Sequence, residues 1–343
     1  MPREPKRIQR EQPLEEKMVL EDRLNNNEVI ILDGAIGSEI ERLGAKMDNA
    51  AWCGVANKTH PDTVRKVHEE YLRAGADVIT ANTFGTCRHV LAGAGLADEA
   101  AEITARAVKI AYEAIDKVAP DRDVAVAGSM SLMTAWIPGS FSPDPRFIPT
   151  PEEEAANYRE WAEALASAGA DLIILEMMAD ITHASMVAEA ALSTGLPVWI
   201  GMSCCLTAEK TLAAWDMHLV EPPEVLDASH VPGKIQPIGP LIDAMADFEP
   251  QVMGMMHSAV DAMGPGIEAI KERWSGPLMG YAEATGDHYI KPNDFALHCR
   301  SLVEQGVQII GGCCGTTIEH IRAMVNVISG DISYELAETK DEA

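Results

Sequence analysis

Eight short apolar runs recur along the chain, at residues 29–33, 77–82, 124–128, 171–176, 198–203, 251–256, 278–281 and 307–312. Most are apolar throughout rather than at every second position, the pattern of strands buried on both faces of a parallel sheet. Helix-like stretches separate them, at residues 61–74, 97–118, 151–168, 184–193, 240–247, 266–273, 293–304 and 317–327. Pro61 and Pro151 open two of these, at a position where a missing N–H is not needed, and Thr150 stands as an N-cap. The phrases Ala74-Gly75-Ala76-Asp77 and Ala168-Gly169-Ala170-Asp171 each end a helix at glycine and lead into a strand. Eight such alternations predict an α/β fold, a (β/α)8 TIM barrel, and 343 residues suffice for one such domain of about 250 residues with additions.

Domain organisation follows from where the alternation begins and ends. Residues 1–20 read as a polar arm, 21–330 as the barrel and 331–343 as an acidic tail, with the arms expected to be mobile or to make contacts in a homo-oligomer. Hydrophobic residues form 47% of the chain and charged ones 23%, a balance that excludes a disordered chain. The net charge of −26 would repel phosphate backbones and anionic lipid, and no run of 18 apolar residues occurs, so neither nucleic acid nor membrane is expected as a partner. The first ten residues contain no apolar stretch resembling a secretory signal, so a cytoplasmic location is expected.

Barrel active sites are built where strands end, so the residues at those ends matter most. They are Asp33-Gly34, Asn82-Thr83-Phe84, Glu176, Ser203-Cys204-Cys205, His257, Glu283 and Cys313-Cys314. None is lysine, which disfavours Schiff-base chemistry. Two long segments also begin at strand ends, at 129–145 and 203–240, the second passing through His218, Pro222, Pro223 and His230, and both read as walls or lids over the mouth.

Seven cysteines in a chain this long are no disulfide framework; four of them form the adjacent pairs Cys204-Cys205 and Cys313-Cys314. Neighbouring side chains on a strand face opposite ways, so Cys313 and Cys314 can share one metal only if the strand breaks down, and the glycines at 311, 312 and 315 permit that. A helix starting just beyond them favours thiolate over thiol. The other reading of the segment is a glycine-rich phosphate cradle.

Four segments together resemble the homocysteine S-methyltransferase family: Asp33-Gly34-Ala35-Ile36-Gly37-Ser38, residues 74–85, residues 169–176 and Gly311-Gly312-Cys313-Cys314-Gly315-Thr316-Thr317. The glycine-flanked cysteine pair is the specific one. The resemblance implies a Zn2+ ion held by Cys313 and Cys314 and by a third ligand after the sixth strand. There the family writes Gly-Val-Asn-Cys and this chain writes Gly254-Met255-Met256-His257. A Cys2His set suits tetrahedral zinc, which points to His257; a metal-free core histidine is the alternative for that ring, and Cys204 or Cys205 the alternative third ligand. The resemblance further implies that Asp33 and Glu176 accept from the ammonium of an amino-acid acceptor, while backbone N–H groups near Gly34 and Ala35 meet its carboxylate. Relatives carry Pro-Asn-Ala-Gly where this chain has Ala282-Glu283-Ala284-Thr285, placing an additional carboxylate in the mouth.

The implied reaction moves a methyl group from a small sulfonium or quaternary ammonium donor to a thiol, homocysteine giving methionine. Onium donors suit aromatic faces and soft walls, and Phe84, Trp136, Tyr281 and several of the 17 methionines lie near the mouth in sequence. Two other roles fit the same residues: one component of a methyl-transfer system with a corrinoid carrier protein, or a non-catalytic barrel that binds an amino acid or betaine.

Overall fold

Parallel pairing joins the apolar runs into a ring. A computed structural model describes residues 18–46, 50–138, 143–207, 209–215, 235–286 and 289–330. In chain order its strands are β1 (Ile30–Ile31), β2 (Val78–Ala81), β3 (Ala125–Ser131), β4 (Leu172–Met178), β5 (Val198–Met202), β6 (Cys204–Leu206), β7 (Leu212–Trp215), β8 (Ile235–Pro237), β9 (Val252–Met256), β10 (Leu278–Ala282) and β11 (Val307–Gly312). Eight of them form one parallel sheet in the order β1-β11-β10-β9-β5-β4-β3-β2, and a parallel bridge between Leu32 and Val78 brings its two ends together. The result is the (β/α)8 barrel that the alternation predicts.

Two apolar layers hold it. Ile30, Leu32, Leu172, Ile174, Trp199, Val252 and Met279 fill the interior, while Ile31, Ile173, Leu175, Met253 and Ile310 face outward against the helices. Strand residues therefore alternate between two dry environments, which explains runs apolar at every position. Leu24, from the helix Met18–Asn25, joins the interior set, and the Gln308 side-chain amide donates to its carbonyl at 2.9 Å.

The helix signals act as the residue types require. Thr150 and Glu153 form a reciprocal capping box on the helix Pro151–Ser167, and Gly75 closes Pro61–Ala74 in the left-handed conformation. The helix expected from residue 266 instead begins at Val260 and carries Pro265 inside it. Gly264-Pro265-Gly266 resembles a stop, yet a proline in the second turn removes only one backbone hydrogen bond, and the buried Ala262, Met263 and Ile267 hold the helix across it.

The segment after β5 also differs from a plain loop. Its described parts pair as a small antiparallel sheet in the order β6-β7-β8, with Cys205 opposite Ala213 and Ala214 opposite Gln236. The runs Cys204–Leu206 and Leu212–Trp215 are too short to stand out from a loop until they pair with each other. His218, Pro222, Pro223 and His230 lie outside the described residues, as do Phe141, residues 1–17 of the arm and the tail from 331. No described helix is long and apolar enough to cross a membrane.

Candidate active site

At the C-terminal ends of the strands lies a cavity of about 320 Å³. Asp33, Gly34, Ala35, Phe84, Trp136, Glu176, Tyr281, Glu283, His257, Cys313 and Cys314 all line it, so the structure brings every one of these sequence-derived candidates to one place. Cys204 and Cys205 are not among the lining residues. The Cys204 thiol lies 3.6 Å from the Ala262 carbonyl under the helix Val260–Lys271, in the outer apolar layer.

Two devices aim the side chains. Tyr281 and Glu283 continue the alternation of β10 from Met279, and Cys313 continues that of β11 from Ile309, so simple periodicity turns them inward. The other device is a break in the strand. β4 runs two residues past Glu176, further than expected, with a register shift between Leu175 and Met178 and Met177 at φ +61°. This bulge lets consecutive Glu176 and Met177 both face the cavity. His257 has φ +44°, so it too follows Met256 into the cavity instead of turning away. After β11 the chain turns sharply at Gly315, φ +76°, where a Cβ would stand 2.3 Å from the Ala284 carbonyl. That turn brings Cys314 round beside Cys313.

The three potential ligand atoms lie within 4.8 Å of one another. Cys313 Sγ is 3.5 Å from His257 Nδ1 and 3.9 Å from Cys314 Sγ. Zinc bonds of about 2.3 Å to sulfur and about 2.0–2.1 Å to nitrogen, set tetrahedrally, place two sulfurs roughly 3.8 Å apart and sulfur and nitrogen roughly 3.5 Å apart. The two distances from Cys313 therefore match two edges of such a tetrahedron, and the third edge, between His257 and Cys314, is no longer than 4.8 Å. Cys313 donates to Cys314, and that hydrogen bond, with His257 close by, holds the Cys314 thiol well below its ordinary range.

Around the cluster stand three carboxyl groups. Asp33 accepts from the Thr80 backbone N–H at 2.8 Å and from the Thr80 hydroxyl at 2.9 Å, yet burial still raises its pKa well above the usual carboxylate range. Glu176 accepts from the Ser129 hydroxyl and from the Tyr281 hydroxyl, the latter at 3.2 Å. Burial outweighs both donors and lifts Glu176 to about 7. Glu283 accepts from the Thr285 hydroxyl at 3.1 Å and lies 3.8 Å from His257 Nδ1. No lysine or arginine is among the described lining residues.

Sequence reading did not single out Ser129, Thr80, Cys53 or Trp52, all of which line the cavity. Ser129 and Thr80 hold the carboxylates, and only the pairing of β2 and β3 with their neighbours shows it. Trp52 meets Phe84 edge to face, with centroids 5.5 Å apart, and its ring covers Gly37 so closely that a Cβ there would lie 2.4 Å from it. The Ala35 backbone N–H donates to the Thr316 hydroxyl at 3.2 Å.

Residues 30–328 match the homocysteine S-methyltransferase family over nearly the whole described chain. The chain belongs to the homocysteine S-methyltransferase family. It is 25% identical to homocysteine S-methyltransferase 2 of Zea mays over 313 residues, covering 86% of this chain and 88% of that one. Among solved structures it resembles the homocysteine methyltransferase MmuM from Escherichia coli. Against the oxidised form the TM-score is 0.70 at 22% identity, over 90% of this chain and 99% of that one. Against the metallated form it is 0.67 at 20%, over 90% and 98%. These structures share the barrel.

Proposed function

We propose that this family member is a zinc-dependent S-methyltransferase that moves a methyl group from a small sulfonium or quaternary ammonium donor to homocysteine, giving methionine. The observation that carries the reading is the clustering of His257, Cys313 and Cys314, with ligand atoms within 4.8 Å of one another, at the wall of a cavity lined with carboxyl groups and aromatic rings. Zinc held by these three residues would supply the charge that favours thiolate over thiol, since a free thiol with a pKa near ~8.5 is mostly protonated at neutral pH.

The chain's own groups do the rest. Asp33 and Glu176 accept from the ammonium of the acceptor; Thr80 gives two donors to Asp33, Ser129 and Tyr281 give one each to Glu176, and these bonds fix where the remaining lone pairs point. Phe84, Trp52, Trp136 and Tyr281 offer ring faces and edges to the onium group. The new carbon–sulfur bond forms as the donor's bond to its methyl carbon breaks. The donor leaves as a neutral sulfide or tertiary amine, and the thiol proton passes to solvent.

The test is zinc-loaded protein with homocysteine and a panel of sulfonium and quaternary ammonium donors, following methionine and demethylated donor. Equal amounts of the two products are expected. No methionine from any donor would overturn the reading. Turnover only with an added corrinoid carrier protein would favour the multi-protein role, and binding without turnover the non-catalytic one.

A further inference from the structure

We infer that Glu283 sets the charge preference for the methyl donor, so that the cavity takes an onium cation without a carboxylate and rejects its zwitterionic counterpart. The inference rests on the methyl-transfer reading above and goes beyond it by naming the donor's charge class.

Three observations carry it. First, Glu283 is fixed beside the three-residue cluster. Its N–H donates to the Ser258 carbonyl at 3.1 Å, the neighbouring Ala284 N–H donates to the Cys314 carbonyl at 2.8 Å, and the Cys313 N–H donates to the Ala282 carbonyl at 2.9 Å. Backbone on both sides of the cluster thus holds this residue between His257 and the cysteines. Second, Glu283 is buried and lines the cavity, accepting from the Thr285 hydroxyl and standing 3.8 Å from the His257 ring nitrogen. Third, the described lining contains Asp33, Glu176 and Glu283 and no lysine or arginine, so no cationic side chain there awaits a donor carboxylate.

Methyl transfer in line with the acceptor sulfur requires the donor's onium centre to come close to the cluster, and Glu283 is the carboxylate already standing there. A positive centre gains from that neighbour. A carboxylate one carbon from the onium centre is carried into the same region, and two like charges about 5 Å apart at an effective dielectric near 20 disfavour binding by roughly two orders of magnitude.

A matched pair of donors tests this: (carboxymethyl)dimethylsulfonium and its primary amide, which share the onium centre and differ in the carboxylate. With zinc-loaded wild-type protein and homocysteine, the kcat/KM ratio of amide to acid is expected to be about 100. In Glu283→Gln it is expected to fall to within about fivefold, and in Glu283→Asp to stay high. An equal or acid-favouring ratio in wild type, or a high ratio unchanged in Glu283→Gln, would overturn the inference. Calorimetric binding of tetramethylammonium and glycine betaine in the presence of zinc and methionine decides the same point without turnover. Tetramethylammonium should bind more tightly to wild type and lose about tenfold in Glu283→Gln; equal affinities, or no binding of either cation, would overturn it. Failure of all donors to yield methionine while this selectivity holds would reject the methyl-transfer reading and leave the charge preference standing.

Discussion

The Tyr281 hydroxyl donates to Glu176 Oε1 at 3.2 Å, linking β10 to β4 across two intervening strands. It can do so because β5 carries glycine at 201, where a Cβ would lie 3.1 Å from the Tyr281 oxygen and 2.7 Å from Met256. The ring therefore both walls the cavity and orients one of the carboxylates expected to hold the acceptor. Tyr281→Phe should weaken methionine binding about fivefold, the worth of one hydrogen bond of about 1 kcal/mol, with little change in zinc content. Calorimetry with methionine checks it, and unaltered affinity would mean that Glu176 does not depend on this donor.

Metal content tests the cluster directly. Purified protein should hold about one zinc per chain, and Cys313→Ala, Cys314→Ala and His257→Ala should each weaken zinc binding by at least about 100-fold, since apparent zinc energies of roughly 10–16 kcal/mol are shared among four ligands. Cobalt substitution gives a second readout, because sulfur-to-cobalt charge-transfer bands should diminish in the cysteine variants and persist, shifted, in His257→Ala. Variants that bind metal like wild type would remove the cluster from consideration.

Acid sensitivity should arise in part at His68, on the buried face of the helix Pro61–Ala74, where neither ring nitrogen has a hydrogen-bond partner. Burial lowers its pKa to about 4. The unfolded chain, with an ordinary value near ~6.5, binds the proton first, so stability is intact above about pH 6.5 and falls as pH drops towards 4, by roughly 3 kcal/mol in all. Between pH 7 and pH 5, urea unfolding of His68→Leu should show about 2 kcal/mol less acid loss than wild type. Equal losses in the two proteins would show that the ring is protonated in the folded state.

Gly37 tests the part of the cavity wall built by Trp52 and Phe84. A methyl group there would collide with the Trp52 ring, which also packs on Phe84. Gly37→Ala should cost about 1–3 kcal/mol in thermal or urea unfolding and weaken donor affinity by displacing the ring. Stability and affinity both equal to wild type would mean that Trp52 moves aside freely.

Much of this was legible in the chain because it depends on local order. The eight apolar runs specify the barrel, and the period of two carries Glu283 and Cys313 inward, since side-chain direction on a strand follows from position alone. The glycines around Cys313 and Cys314 announce that the strand must break there.

Other features were decided by contacts distant in sequence. His257 and Met177 reach the cavity only through left-handed backbone, which nothing in their residue types announces and which neighbouring strands must hold in place. Thr80 and Ser129 become carboxylate partners only when β1, β2, β3 and β4 lie side by side, and β6, β7 and β8 become strands only on pairing. Periodicity is written into each segment by itself, whereas strain, pairing and the meeting of charges belong to segments jointly, so the chain alone specified the barrel and its cysteine pair, and tertiary packing decided which groups surround them.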